Sequence, residues 1–193
     1  MKITAFLEQQ FTNIHALFAN IAGDITEEEW RQRPGPGQNR IGFTVWHIPR
    51  TQDNFVHGWV QGLPEVLNQP EWSHWAPLRP LGIGVGITGA EADGVAVTTT
   101  REDVLAYEEA VFHALIQWLR SIGDDDLDAI PDVARHLAPF PQYQTPLYLE
   151  ETDGLRGQPV WNLLMRPCIG HIHRHLGELE LAKSLVRSRT RGG

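Results

Sequence analysis

Four stretches of this chain repeat apolar residues every three or four positions, a rhythm that only a helix can bury along one side. In the first, from about Ile3 to Ala22, the apolar positions are Phe6, Phe11, Ile14, Leu17, Phe18 and Ile21. The second, from about Gly42 to Gln61, carries Val45, Ile48, Phe55, Trp59 and Val60. The third opens at Thr99 and Thr100, with Glu102 and Asp103 behind them as an N-terminal cap, and runs through Val104, Leu105, Tyr107, Val111, Phe112, Leu115, Ile116 and Leu119 to about Ile122. The fourth spans about Pro159 to Val186 and begins on proline, whose missing N–H is harmless in a first helical turn. No strand pattern competes with these four. The spacing predicts an all-α fold, a four-helix bundle formed as one domain over residues 1–193.

The breaks between helices are also written in the residues. Gly23 can end the first helix, and Thr26 followed by Glu29 reads as a capping box for a short segment through Trp30. Pro34-Gly35-Pro36-Gly37 is a break. Pro49 and Pro167 fall inside helices, each removing a backbone hydrogen bond, and should bend the chain near His47 and one turn before His171. Two long connections, 62–98 and 123–158, read as irregular insertions. In the first, Leu81–Ile87 alternates glycine with branched residues but lacks the signature of a nucleotide loop, so an extended surface strand or a lid is expected. The aromatic residues of that insertion, Trp72 and Trp75 among them, are expected to wall a pocket.

A chain of 193 residues, 41% hydrophobic and 21% charged, can bury a core without covalent staples. Its formal net charge of −8 argues against a nucleic-acid partner. The basic run from about 187 to 193 reads as a frayed terminus. The single cysteine, Cys168, excludes an internal disulfide and suits a reducing compartment. With no signal-peptide pattern at the N-terminus and no membrane-length apolar run, a cytoplasmic protein without a membrane partner is expected.

The chemistry points to histidine. His171 and His175 stand four apart on a helix and so face one spot, whereas His173 faces elsewhere. Two such imidazoles can share a cation if a third ligand comes from another helix, and His47 is the strong candidate. Three neutral imidazoles would leave a coordination position open, as catalytic rather than structural zinc sites do. Glu178, one turn beyond His175, could orient that ring. Arg50 and Asp53 follow His47 at helical spacing and could line the same cavity. Cys168 shares a helical face with the pair and is read either as a fourth ligand or, more simply, as core packing. His15 and His113 fall near apolar faces and read as ordinary interior or boundary histidines, while His57, His74 and His136 sit by loops and are expected to be solvated; none of the five needs a metal. The competing account is a polar seam of hydrogen-bonded histidines. Imidazole ligation suits zinc, nickel, copper or iron.

Trp46-His47-Ile48, followed far downstream by His171-x-x-x-His175-x-Gly177-Glu178-Leu179, resembles the DinB-like superfamily, which shares its bundle with maleylpyruvate isomerase and bacillithiol-transferase proteins. The resemblance implies a divalent metal, zinc or nickel, held by His47, His171 and His175 at one end of the bundle. For activity it implies transfer of a low-molecular-weight thiol to a small electrophilic substrate, or a hydrolysis. The alternative is a non-catalytic metal- or ligand-binding stress-response bundle. Exposed helix faces and the resemblance are together compatible with a homodimer.

Overall fold

A computed structural model describes residues 2–192, with side chains through residue 189. All regular structure among the described residues is helical. In chain order the α-helices are α1 (Ile3–Gly23), α2 (Glu27–Trp30), α3 (Ile41–Asp53), α4 (Gly89–Thr98), α5 (Arg101–Ser121), α6 (Val133–Leu137), α7 (Pro146–Thr152), α8 (Val160–Met165) and α9 (His171–Gly192). Two wide π-helical segments extend this set: Asn54–Gln61 continues α3, and Arg166–Gly170 joins α8 to α9. The four-helix bundle is therefore α1, α3 with its extension, α5, and the α8–α9 rod. They close a ring in which α1 packs on α5, α5 on α3, α3 on α9, and α9 on α1.

The α1 stripe shows why the ring forms. Leu7, Phe11, Ile14, Phe18 and Ile21 alternate steps of four and three and are all buried. Each such side chain contributes about 1.5–3 kcal/mol when removed from water. Facing them, α5 buries Val104, Tyr107, Val111, Leu115 and Leu119, with Glu108 set in the same stripe. That carboxylate is matched across the interface by His15, whose Nδ1 lies 2.8 Å from its Oε2 and whose ring stacks on Phe112. Burial pushes the Glu108 carboxyl up, and the bond to Glu108 raises His15 in turn. His113 is exposed. At the start of α3, Gly42 permits a close crossing: a Cβ there would sit 2.4 Å from the Trp30 indole, whose Nε1 donates to the Ala96 carbonyl.

The capping signals at Thr26 and Thr100 operate as expected, accepting from the backbone N–H of Glu29 and Asp103. A third box, Thr88 with Glu91, opens α4 inside the stretch expected to be irregular. α3 runs through Pro49 to Asp53, and the wider turn begins at Asn54. At Pro167 the missing N–H falls within the second wide turn. The basic terminal run is helical to Gly192, and Arg187 bridges Asp24 and Glu29 near the α1–α2 corner. Gly193 lies outside the described residues.

Leu81–Ile87 is not a strand. It is a tight turn in which Gly82, Gly84 and Gly86 all have positive φ, and it folds inward against α3. Trp72 and Trp75 line neither of the clefts beside the three histidines; both are buried against Tyr107, with ring centroids 5.1 and 5.2 Å away. No helix among the described residues is long and apolar enough to cross a membrane.

Candidate metal centre

α3 and α9 lie side by side, and this contact brings the early histidine to the late pair. His47 Nε2 is 3.3 Å from His171 Nε2, which is 3.0 Å from His175 Nε2. The ligand nitrogens of all three rings lie within 4.8 Å of one another, so His47, His171 and His175 could hold a metal ion. Two nitrogens held at zinc–imidazole distance around a tetrahedral ion stand about 3.3 Å apart. The observed spacings fit that donor set.

The other face of each ring decides which nitrogen points inward. His47 Nδ1 lies 2.5 Å from the Ile83 carbonyl, which can only accept, so the proton is on Nδ1 and the Nε2 lone pair faces the cluster. His175 Nδ1 likewise donates to Glu178 Oε2 at 2.6 Å. His171 differs: the Arg174 guanidinium donates to its Nδ1 at 3.0 Å. In that arrangement the His171 proton sits on Nε2, between its two neighbours. Offering Nε2 to a cation requires the proton to move to Nδ1 and Arg174 to turn away, at little cost for an exposed side chain whose ion pair with Glu178 is a 3.8 Å contact. Burial lowers His47 to about 4, with the His175 charge adding to the effect. Burial likewise lowers His171 to about 3, again helped by His175 and His47. Both rings are neutral at pH 7, as ligands must be.

Two clefts reach the cluster, and His47 and His175 line both. The larger, about 770 Å³, has Phe55, Val85, Leu155 and Met165 as apolar wall and Arg166 and Arg174 among its polar lining. The smaller, about 410 Å³, is lined by Phe43, Leu179, Leu181, Ala182 and Leu185, with Glu178 at hand. Thr51 lies in the larger cleft, its hydroxyl 3.4 Å from His47 Nε2 while donating to the His47 carbonyl.

Of the residues singled out in the sequence, four meet here: His47, His171, His175 and Glu178. Arg50 and Asp53 do not. Both are fully buried beneath the site, and neither lines either of these two clefts. Arg50 pairs with Asp53 and Glu65, and His57, expected to be solvated, is buried with its Nδ1 2.8 Å from Asp53. His136 bonds the Trp59 carbonyl, while His74 and His173 are exposed. Cys168 is buried in the core, burial pushes its thiol well up, and it stands outside the histidine group. The sequence reading missed Thr51 and Arg174, although each lies one helical turn from a histidine. It also missed the Ile83 carbonyl, which no side-chain pattern announces.

Glu178→Ala should lower the affinity for Zn²⁺ by about 10–100-fold, the usual cost of losing a ligand's outer partner. Competition against a chromophoric chelator measures this, and an unchanged affinity would show that Glu178 does not orient His175.

No curated protein matches the chain. Residues 8–151, about three quarters of it, match the family model of the DinB superfamily. The matched span takes in His47 and ends before His171 and His175, which the fold itself returns to that residue. A match of this extent shows the family: the chain belongs to the DinB superfamily.

Proposed function

We propose that this chain is a metal-dependent transferase that joins a low-molecular-weight thiol to a small electrophilic molecule, with zinc or nickel on His47, His171 and His175. The observation that favours transfer over hydrolysis is the pair of clefts meeting at one histidine cluster. Two organic reactants need two approaches to the reacting centre; water needs none of its own. A divalent ion in such a site acidifies a coordinated thiol or water toward neutral pH.

The chain's own residues supply position and polarity. Arg166 and Arg174 place guanidinium groups in the larger cleft, suited to an anionic group on one reactant. The leucines of α9 and Phe43 give the smaller cleft an apolar wall for the other. Glu178 and the Ile83 carbonyl hold the His175 and His47 rings in place. In the reaction the thiol proton is released to solvent, a sulfur–carbon bond forms at the electrophilic carbon, and the bond to the leaving group breaks.

The test begins with elemental analysis of protein purified without a histidine tag. One equivalent of zinc or nickel per chain is expected. Glutathione, bacillithiol and mycothiol are then each offered with a model electrophile, and metal-dependent thiol consumption is expected with at least one. Metal without thiol consumption, but with ester or amide cleavage, would replace transfer by hydrolysis. Metal with neither activity would favour a ligand-binding bundle. Protein that takes up no metal even when Zn²⁺ is supplied would end the proposal.

A further inference from the structure

Beneath the histidine cluster lies a buried ionic network that the proposed chemistry does not use directly. Its centre is Arg50, fully excluded from solvent, with each nitrogen of its guanidinium hydrogen-bonded. Nη1 donates to Asp53 at 3.0 Å and to the Tyr107 hydroxyl at 2.7 Å; Nη2 donates to Glu65 at 2.8 Å and to the Tyr143 hydroxyl at 2.9 Å. The remaining donor, Nε, reaches the Gly82 carbonyl at 3.3 Å. The next carbonyl along the chain is that of Ile83, which receives the His47 Nδ1 proton.

The turn that carries these two carbonyls is held on its sides as well. Gly82 has φ of +59°, and a Cβ there would meet the Tyr143 ring at 2.9 Å. Gly84 has φ of +94°, and a Cβ there would meet the Phe43 ring at 2.8 Å. Glycine is required at both positions by backbone and by space. Tyr143 is itself tied to Arg50 and Glu65, so one charged group braces the turn from below and, through Tyr143, from the side.

We infer that Arg50 is a positioning residue for His47: by holding the Gly82–Gly84 turn it keeps the Ile83 carbonyl on Nδ1 and so keeps Nε2 free to ligate. The inference rests on the reading of His47 as a metal ligand, but its first consequence, the tautomer of His47, exists without metal. It also explains why an arginine with five donors stands here. A lysine can satisfy Asp53 and Glu65 as a point charge, yet it lacks the fork that reaches Gly82 at the same time.

The experiment compares full-length wild type with Arg50→Lys, Tyr107→Phe and Gly84→Ala. Long-range ¹H–¹⁵N spectra of the metal-free proteins report the His47 tautomer, competition titration reports Zn²⁺ affinity, and urea unfolding reports stability. In wild type, His47 should carry its proton on Nδ1 alone. Arg50→Lys should mix the tautomers and weaken Zn²⁺ binding by about 10–100-fold. Tyr107→Phe, which loses bonds to Arg50 and Asp53 but keeps those that hold Gly82 and Tyr143, should stay within about threefold of wild type even where its stability falls. Two results would overturn the inference: a wild-type tautomer and affinity in Arg50→Lys, or affinities that follow lost stability equally in both network variants. Should Arg50→Lys not fold, Gly84→Ala decides the matter, since it moves the turn and leaves the ion pairs alone. Loss of the Nδ1 tautomer and of affinity supports the inference, and retention of both overturns it. If wild type binds no Zn²⁺, the metal reading fails by itself, and the tautomers still decide the role of Arg50.

Discussion

Alanine at His171 is expected to cost Zn²⁺ or Ni²⁺ affinity more than the roughly 100-fold that marks the upper end for an outer partner, while leaving the bundle folded. His171 occupies the middle of the cluster, its Nε2 3.3 Å from that of His47 and 3.0 Å from that of His175. Without it only two imidazole nitrogens, from different helices, remain to hold the ion. The ring is only partly buried, so its removal opens no core cavity. Titration against a competing chelator gives the affinity, and thermal unfolding gives an independent reading. A free ion at 100 times its Kd adds about 2.7 kcal/mol to wild-type stability, a gain that His171→Ala should lose. An unaltered affinity in this variant would remove the cluster as the metal site.

Asp53→Ala should be the most damaging single change to the fold, about 3–5 kcal/mol, because it leaves a buried cation short of one partner. The Asp53 carboxylate is fully buried and accepts from Arg50, from the Tyr107 hydroxyl, and from the backbone N–H groups of Val66 and Leu67 at 2.9 and 3.1 Å. It therefore ties the first long connection to α3 as well as balancing charge. Burial by itself would raise the Asp53 carboxyl, but His57, Arg50 and Tyr107 outweigh it and hold the group below its ordinary value. A carboxyl depressed in the folded state contributes stability that is fully present above its unfolded pKa, near 4, and is lost as pH falls through the folded value. Wild type should thus weaken on acidification below about pH 4, and the variant should show a flatter acid limb. Urea unfolding at pH 7 and pH 3 measures both effects; equal stability of the two proteins at pH 7 would show that the network is not a brace.

The four bundle helices were legible because their evidence is local: apolar residues at steps of three and four, with a cap at Thr100 for α5 and, beside them, one at Thr26 for the short α2. The histidine cluster was legible for a similar reason. Two of its rings sit one turn apart, and His47 stands inside the apolar segment Phe43–Ile48 of another long helix. What escaped were features that depend on distant partners. Helical spacing from His47 points Arg50 and Asp53 toward the cavity, yet both are buried beneath it. Glu65, Tyr107 and Tyr143 bring the compensating groups from three other parts of the chain, and nothing near residue 50 reveals them. His57 went the same way, being read as solvated and found against Asp53. α4 was missed despite its Thr88–Glu91 box because Gly89, Ala90, Ala92, Gly94 and Ala96 give it little amphipathic contrast. The glycine alternation at 82–86 was visible. Its purpose, aiming a backbone carbonyl at a ring nitrogen, lies outside any side-chain pattern.

The wide turn at Arg166–Gly170 has a further meaning for the site. A π-helical turn accommodates more residues than a regular one over the same stretch of rod, so it sets the angular phase of everything that follows. Each residue of an α-helix advances its side chains by about 100° around the axis. Were α8 to pass into α9 with one residue fewer, His171 and His175 would face a different quadrant, and His47 would look across at other side chains. The rotational setting of the last helix is thus fixed by five residues around Pro167, just upstream of the rings they aim.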